Sequence, residues 1–149
     1  MRFADCVPLL LYDPKQRVIG IAHAGWQGTS LKIARHAVEA MTHRYGCQPQ
    51  DILATIGPSI CEACYQVGEE VYRAFQVAFG SDTEKLFQQK GEQLYLDLWQ
   101  ANRLTLSEAG VSQIETAGLC TACHLEDWYS HRAEQGRTGR FGVLMVLEE

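Results

Sequence analysis

The chain has 149 residues, of which 46% are hydrophobic and 21% are charged, and its formal net charge is −5. These values are typical of one soluble globular domain that is large enough to bury a core. Lys and Arg form no cluster of the kind that binds a nucleic-acid backbone, and no apolar run is long enough to cross a membrane. No signal-peptide core follows Met1. We therefore expect a cytoplasmic protein without nucleic-acid or membrane partners. The sequence does not predict its oligomeric state.

The first two strands are predicted to form a hairpin. Residues 7–12 are an apolar run typical of a buried strand, and residues 17–22 (RVIGIA) form a second such run. The segment DPKQ between them has the composition of a turn.

A helix and a third strand follow the hairpin. Residues from about 30 to 45 place apolar side chains at helical spacing. Thr29 or Ser30 is available as the N-cap, and Gly46 is a natural end. Residues 51–57 (DILATIG) indicate a strand, and a strand that comes directly after a helix is typical of a crossover connection.

The second half of the chain mixes helices and strands without strict alternation. Residues 69–79 and 97–109 are predicted to be helices, the second one capped by Asp97. Residues 113–117 and 141–147 are predicted to be strands. The pattern favours a layered fold in which helices cover a mixed sheet.

Cys6 and His23 are the first candidates for chemistry. Cys6 precedes the first strand and His23 follows the second, so a hairpin brings both to the same sheet edge. Thiolate and imidazole both bind zinc, and an imidazole can also deprotonate a thiol to make it a nucleophile. A buried cysteine and a structural histidine that meet by accident remain the simple alternative.

The segment HAGWQGTS lies where the second strand leads into the helix. Amides of Gly25 and Gly28 in such a turn can bind an anion beside a helix N-terminus. Trp26 can offer an aromatic face to a flat ring, or it can pack in the core.

A polar segment near the C-terminus, YSHRAEQGRTGR, is too rich in Gly and Arg for a core. It carries Ser130, His131, Arg132, Arg137 and Arg140. Arginines of this kind bind phosphate or carboxylate in bidentate fashion, although solvated loop charge is the commoner outcome. His36 and His43 lie on one helix face and are interpreted as surface residues.

Four of the six cysteines form two CxxC pairs. They are Cys61 with Cys64 and Cys120 with Cys123. Two CxxC pairs can build a tetrahedral structural zinc site. The pairs lie much further apart than in the usual zinc signature, so we favour free thiols in the core or in loops.

Several motifs together resemble the YfiH-like, or laccase-domain (multicopper polyphenol oxidase), family. They are ADCVPLLLYD, GIAHAGWQGT, IGPSICEACYQVG, YLDLWQANRLTLSEAGV and YSHRAEQGRTGR, and they occur in order along nearly the whole chain. The most specific part is ADC followed by HAGW, because the family places its active Cys and His at this separation.

The resemblance implies an α+β fold with α/β/β/α layers and mixed sheets, akin to the catalytic domains of deamidating toxins. It also implies a zinc ion held by Cys6, His23 and a histidine from an upstream QVHG-like segment, which this chain lacks. We therefore expect residues 1–149 to be a single laccase domain that corresponds to the C-terminal portion of a longer family member. Gln27 and Gln66 depart from the Arg and Glu usual in the family, which affects details of substrate binding.

The resemblance further implies a zinc-dependent purine nucleoside phosphorylase that accepts adenosine, inosine and methylthioadenosine and also deaminates adenosine. The expected ligands are a nucleoside and phosphate. In this interpretation the glycine turn, Arg132 and Arg140 orient phosphate, and Trp26 or Tyr65 stacks on the base. Zinc would act as a Lewis acid and lower the pKa of water.

Three alternatives stay open. The family's older name implies copper oxidation of phenols, but five histidines without a His-x-His pair argue against a multicopper cluster and leave only a mononuclear or adventitious copper. The toxin-like fold, together with a cell-wall-precursor editing role described in the family, also allows a cysteine amidase with Cys6 as nucleophile and His23 as base. Without its third ligand, the chain could instead be an inactive remnant.

Overall fold

The computed structural model describes residues 1–148 and contains nine strands and four α-helices within them. The strands are β1 (Arg2–Phe3), β2 (Val7–Asp13), β3 (Val18–Ala24), β4 (Leu53–Ile56), β5 (Gln66–Val67), β6 (Phe87–Lys90), β7 (Gln93–Leu96), β8 (Gln113–Thr116) and β9 (Phe141–Gly142). The helices are α1 (Trp26–Ser30), α2 (Ile33–Tyr45), α3 (Glu69–Phe79) and α4 (Leu98–Glu108). The predicted α+β class with mixed sheets is confirmed.

The main sheet has four strands in the order β3-β2-β4-β8. β2 pairs antiparallel with β3 and with β4, whereas β4 pairs parallel with β8. A second sheet has the order β5-β7-β6, and β1 pairs with β9 in a short ribbon. The helices α2 and α4 pack against the main sheet, where the apolar residues of β2 and β4 are buried.

The predicted hairpin is confirmed and it sets the position of the candidate site. In the β2–β3 ladder Val7 lies opposite Ala24, and Pro8 lies opposite His23. Cys6, one residue before Val7, therefore lies at the same end of the sheet as His23. The connection from β3 through α2 to β4 is the expected crossover, because β3 and β4 run in the same direction on either side of β2.

The single helix predicted over residues 30–45 is wrong at its start. The chain forms two helices, because Lys32 adopts a left-handed conformation (φ 57°) that interrupts the hydrogen-bond ladder. Neither Thr29 nor Ser30 caps α2; the buried Thr29 hydroxyl instead accepts a hydrogen bond from the Asn102 amide at 3.0 Å. The end of α2 is as predicted, at Gly46 with φ 72°.

Elsewhere the helices agree with prediction better than the strands. α3 has the predicted bounds, and the Asp97 carboxylate caps α4 by accepting a hydrogen bond from the Gln100 N–H at 2.9 Å. The strand predicted over residues 141–147 extends only to Gly142. The hairpin of β6 and β7 was not predicted, because both strands are only four residues long and β6 is mostly polar and solvent-exposed. No helix of residues 1–148 is long and apolar enough to span a bilayer.

Candidate active site and cysteine cluster

A cavity of about 450 Å³ lies at the sheet edge where β2 begins and β3 ends. Ten residues line it: Arg2, Ala4, Asp5, Cys6, His23, Trp26, Tyr65, His131, Arg132 and Arg140. They come from both ends of the chain and from the segment after β4. The cavity therefore exists only in the folded chain.

The hairpin register brings Cys6 and His23 to this cavity. Gly25, directly after β3, lies so close to the thiol that a Cβ atom there would be 3.0 Å from the Cys6 Sγ atom. A side chain at position 25 would therefore be tight against the thiol, which favours glycine there. The His23 ring packs against the buried Phe3 ring, with 4.7 Å between centroids.

Asp5 joins three segments beneath the cavity. It is buried, with 7% of its surface exposed, and its φ of 78° lies in the left-handed region. Its carboxylate accepts hydrogen bonds from the Thr121 hydroxyl at 2.7 Å and from the Arg132 backbone N–H at 2.6 Å. Its carbonyl accepts one from the Ile60 N–H at 3.0 Å. Asp5 thus fixes the position of Cys6 relative to the segments that carry Ile60, Thr121 and Arg132.

The cavity is rich in positive charge although the whole chain is acidic. Arg2, Arg132 and Arg140 line it, and among the described residues 1–148 Asp5 is the only carboxylate on its wall. Within residues 1–148, none of these three guanidinium groups lies within salt-bridge distance of a carboxylate. Uncompensated guanidinium groups at a concave surface favour an anionic ligand.

The titratable groups of the site are shifted toward their neutral forms. Burial, and then the nearby Asp5 carboxylate, raise the pKa of the Cys6 thiol, while Arg140 acts in the opposite direction. Burial also raises the pKa of Tyr65 to about 12. Desolvation lowers the pKa of His23, although the residue as a whole is exposed. Without a cation, the thiol and the imidazole are therefore both uncharged near neutral pH.

Six of the eight predicted site residues meet at the cavity. They are Cys6, His23, Trp26, Tyr65, Arg132 and Arg140. Gly25 lies beside the Cys6 sulfur, but Gly28 does not line the cavity. Gly28 lies inside α1, where a Cβ atom would be 3.2 Å from the His23 carbonyl oxygen. Glycine at this position therefore lets α1 pack closely against the end of β3. The predicted surface positions of His36 and His43 are confirmed, since both are exposed.

Sequence reasoning did not assign Arg2, Asp5 or His131 to the site. The sequence did indicate Asp5, because this residue directly precedes Cys6. Nothing in the sequence indicated Arg2, since it reaches the cavity through the pairing of β1 with β9, in which Arg2 lies opposite Gly142. His131 lies in the predicted polar segment, and its ring packs against Gly136.

The cysteines of the two CxxC pairs are free thiols, as predicted, but their gathering into one cluster was not predicted. The four Sγ atoms of Cys61, Cys64, Cys120 and Cys123 all lie within 4.8 Å of one another, and they could hold a metal ion. The two pairs meet because Ser59 and Cys120 form a parallel β-bridge. Within residues 1–148 this cysteine cluster is the only group of three or more His, Cys, Asp or Glu donors placed so closely.

The pKa values of Cys61 and Cys120 in the cysteine cluster are shifted in opposite directions. Burial, and then the neighbouring Cys120, raise the pKa of Cys61 to about 11. Burial alone would raise the pKa of Cys120 as well, but hydrogen bonds from its neighbours stabilise the thiolate and lower that pKa. The backbone N–H of Cys61 donates one of these bonds to the Cys120 Sγ atom at 3.2 Å.

A known protein family matches nearly the whole chain. Residues 1–148 match the family described as multi-copper polyphenol oxidoreductase laccase. The chain belongs to this laccase family. The described residues of this member gather no cluster of histidines of the kind a multicopper centre needs.

Curated relatives of this laccase-family chain carry enzyme names. It is 44% identical over 149 residues to the purine nucleoside phosphorylase YlmD of Bacillus subtilis, covering 99% of this chain and 54% of YlmD. It is 36% identical over 140 residues to an adenosine deaminase from an unknown prokaryotic organism, covering 92% of this chain and 53% of that protein. The chain thus spans about half the length of these relatives.

A solved structure in the same family supports the fold. The YfiH protein of Bacillus licheniformis, described as hypothetical, superposes with a TM-score of 0.89 at 42% identity. The match covers 93% of this laccase-family chain and 53% of the YfiH chain. The predicted resemblance to YfiH-like proteins is confirmed.

Proposed function

We propose that the cavity binds a purine nucleoside together with phosphate and catalyses phosphorolysis, with adenosine deamination as a second reaction at the same site. The observation that supports this most directly is the convergence of a Cys–His pair and three uncompensated arginines on one cavity. The names of the relatives agree with it. Adenosine, inosine and methylthioadenosine are the proposed substrates.

Phosphate would be bound by the arginines of the cavity. Arg140 bears a positive charge that acts on the Cys6 thiol. Among residues 1–148 its guanidinium donates hydrogen bonds only to carbonyl oxygens of its own loop, those of Thr138 and Gly139. Arg132 is fixed more firmly, because it donates to the Gln66 carbonyl and lies over the Tyr65 ring, 5.0 Å from its centroid. Arg140 is therefore the arginine that is freer to follow a phosphate.

The purine base would lie against the aromatic side of the cavity, formed by Trp26 and Tyr65. Because the Tyr65 pKa is raised to about 12, its phenol stays protonated and can donate a hydrogen bond near neutral pH. An aromatic face and a hydroxyl donor are suited to a ring that carries acceptor nitrogens.

Zinc is the proposed cofactor, and the cavity offers the types of side chain that bind it. Cys6 and His23 would supply a thiolate and an imidazole, and His131 is the only other His or Cys side chain on the cavity wall. Zinc held there would supply Lewis acidity. The low pKa of His23 keeps its imidazole unprotonated and available as a ligand.

The phosphate site is tested by replacing Arg140 with Met. Loss of one charge-assisted contact should raise the KM for phosphate in inosine phosphorolysis by about 10- to 100-fold. Arg137→Met is the matched control, because Arg137 belongs to the same loop but does not line the cavity. It should leave the KM for phosphate unchanged. Equal effects of both replacements, or none from Arg140→Met, would contradict the assignment.

A cysteine amidase would need a reactive thiolate at Cys6, and the surroundings of Cys6 disfavour one. In metal-free protein, alkylation of Cys6 by iodoacetamide should increase with pH and inflect above the ordinary range of a thiol, because burial and Asp5 raise its pKa. Arg140→Met should slow alkylation further at fixed pH, since Arg140 lowers that pKa. Mass spectrometry of the Cys6 peptide gives the rate. An inflection below the ordinary range would favour the amidase.

A further inference from the structure

The cysteine cluster lies outside the active-site cavity and the proposed reaction does not use it. Its thiols belong to two short turns that have the same local form. Cys64 N–H donates to the Cys61 carbonyl at 3.1 Å, and Cys123 N–H donates to the Cys120 carbonyl at 3.3 Å. Each CxxC segment thus turns back on itself and points two thiols toward the other pair.

The four sulfur atoms lie close enough together to share one tetrahedral metal ion. Zinc–sulfur bonds of about 2.3 Å place tetrahedral sulfurs roughly 3.8 Å apart. In the cluster the Cys64 and Cys123 Sγ atoms are 3.4 Å apart, and all four lie within 4.8 Å. All six cysteines of the chain are free thiols, so no disulfide accounts for this approach.

A backbone hydrogen bond also points to bound metal. The Cys61 N–H donates to the Cys120 Sγ atom at 3.2 Å. Sulfur is a weak acceptor as a neutral thiol and a much better one as a thiolate. A partly buried amide directed at sulfur is therefore expected where the sulfur is a metal ligand, because second-shell donors orient and stabilise ligands.

We propose that Cys61, Cys64, Cys120 and Cys123 form a structural zinc site that holds together the two loops beneath the active-site cavity. Four thiolates leave no open coordination position, so the site is structural and not catalytic. It is separate from the zinc proposed at Cys6 and His23 and does not depend on the reaction that occurs there.

The cluster is joined to the cavity by the residues that directly follow two of its ligands. Tyr65 follows Cys64 and lines the cavity. Thr121 follows Cys120 and donates its hydroxyl hydrogen bond to Asp5, which in turn accepts from the Arg132 N–H. Metal at the cluster would therefore fix Tyr65 and, through Asp5, Arg132.

The test is the zinc content of the purified 149-residue chain, measured by elemental analysis. A mild chelator treatment comes first, so that only weakly held metal is removed. We expect about one zinc per chain in the wild type and close to none in Cys64→Ser or Cys120→Ser. Cys6→Ser should keep that zinc, which separates this site from the proposed catalytic one. Cys47→Ser is the matched control, since Cys47 is a buried thiol outside the cluster.

Cobalt substitution keeps the test decisive if the serine variants do not fold. Wild-type protein with Co²⁺ should show the intense sulfur-to-cobalt absorption of four thiolates and the visible bands of a tetrahedral ion. Cys123→His, at the exposed position of the cluster, should retain the metal and lose about one quarter of the sulfur band, because one thiolate of four is replaced. Zinc that persists in Cys64→Ser and Cys120→Ser, or absorption without sulfur character, would overturn the proposal. So would a stable disulfide within the cluster in freshly purified protein.

Discussion

Replacing Cys6 by Ser should reduce inosine phosphorolysis by about 10³-fold or more, and His23→Ala should do the same. Both side chains meet at the cavity because of the β2–β3 register, and both are proposed ligands of the catalytic zinc. Serine keeps the size of the side chain while removing the thiolate, so the loss would report chemistry and not packing. The measurement is the release of hypoxanthine, followed by chromatography at saturating phosphate.

His36→Ala is the control for this experiment. His36 is exposed on α2, where its imidazole lies 3.2 Å from Glu39, and it should be replaceable without loss of activity. The melting temperatures of the Cys6 and His23 variants should stay close to that of the wild type. Activity above about a tenth of the wild-type value in Cys6→Ser would contradict the assignment of Cys6. A large loss in His36→Ala would show that the site lies elsewhere.

Asp5→Ala should lower the free energy of unfolding by about 2–4 kcal/mol. The substitution leaves the Thr121 hydroxyl and the Arg132 N–H without the buried carboxylate that accepts from both. For a chain of this length the melting temperature should fall by roughly 5–15 °C. Urea denaturation followed by circular dichroism measures the change. Asp127→Asn, at an exposed position, is the control and should be neutral.

Asp5→Gly separates the lost hydrogen bonds from the backbone conformation. Both variants lose the carboxylate, but glycine adopts the φ of 78° without the steric cost that alanine has there. Asp5→Gly should therefore be more stable than Asp5→Ala by about 1 kcal/mol. If the two variants are equally stable, the left-handed conformation of Asp5 costs nothing. If neither is destabilised, Asp5 does not join the loops.

The core of the candidate site was predictable because it depends on local sequence. Two apolar runs joined by a short turn form a hairpin almost by necessity, and the hairpin places Cys6 and His23 at one edge. The arginine-rich loop was recognisable by composition, although its distance from Cys6 was not. Arg132 reaches the cavity because Asp5, 127 residues earlier, accepts its backbone N–H.

The cysteine cluster could not be predicted because, like the position of Arg132, it depends on contacts between distant parts of the sequence. Cys61 and Cys120 are 59 residues apart, and they meet through a single bridge between Ser59 and Cys120. Spacing rules for metal sites describe ligands within one short segment and do not cover loops joined across a sheet. The break at Lys32 is similar, since a helical pattern of apolar residues continues through it while the backbone does not.

The most direct measurement of the central claim is the identity of the sugar product when the wild-type chain is incubated with zinc, inosine and phosphate. Phosphorus NMR distinguishes ribose 1-phosphate from unreacted phosphate. Attack of phosphate at the anomeric carbon gives ribose 1-phosphate and hypoxanthine in equal amounts, and omission of phosphate should stop base release. Base release without phosphate, or no release at all with zinc supplied, would contradict the assignment of this cavity as a nucleoside phosphorolysis site.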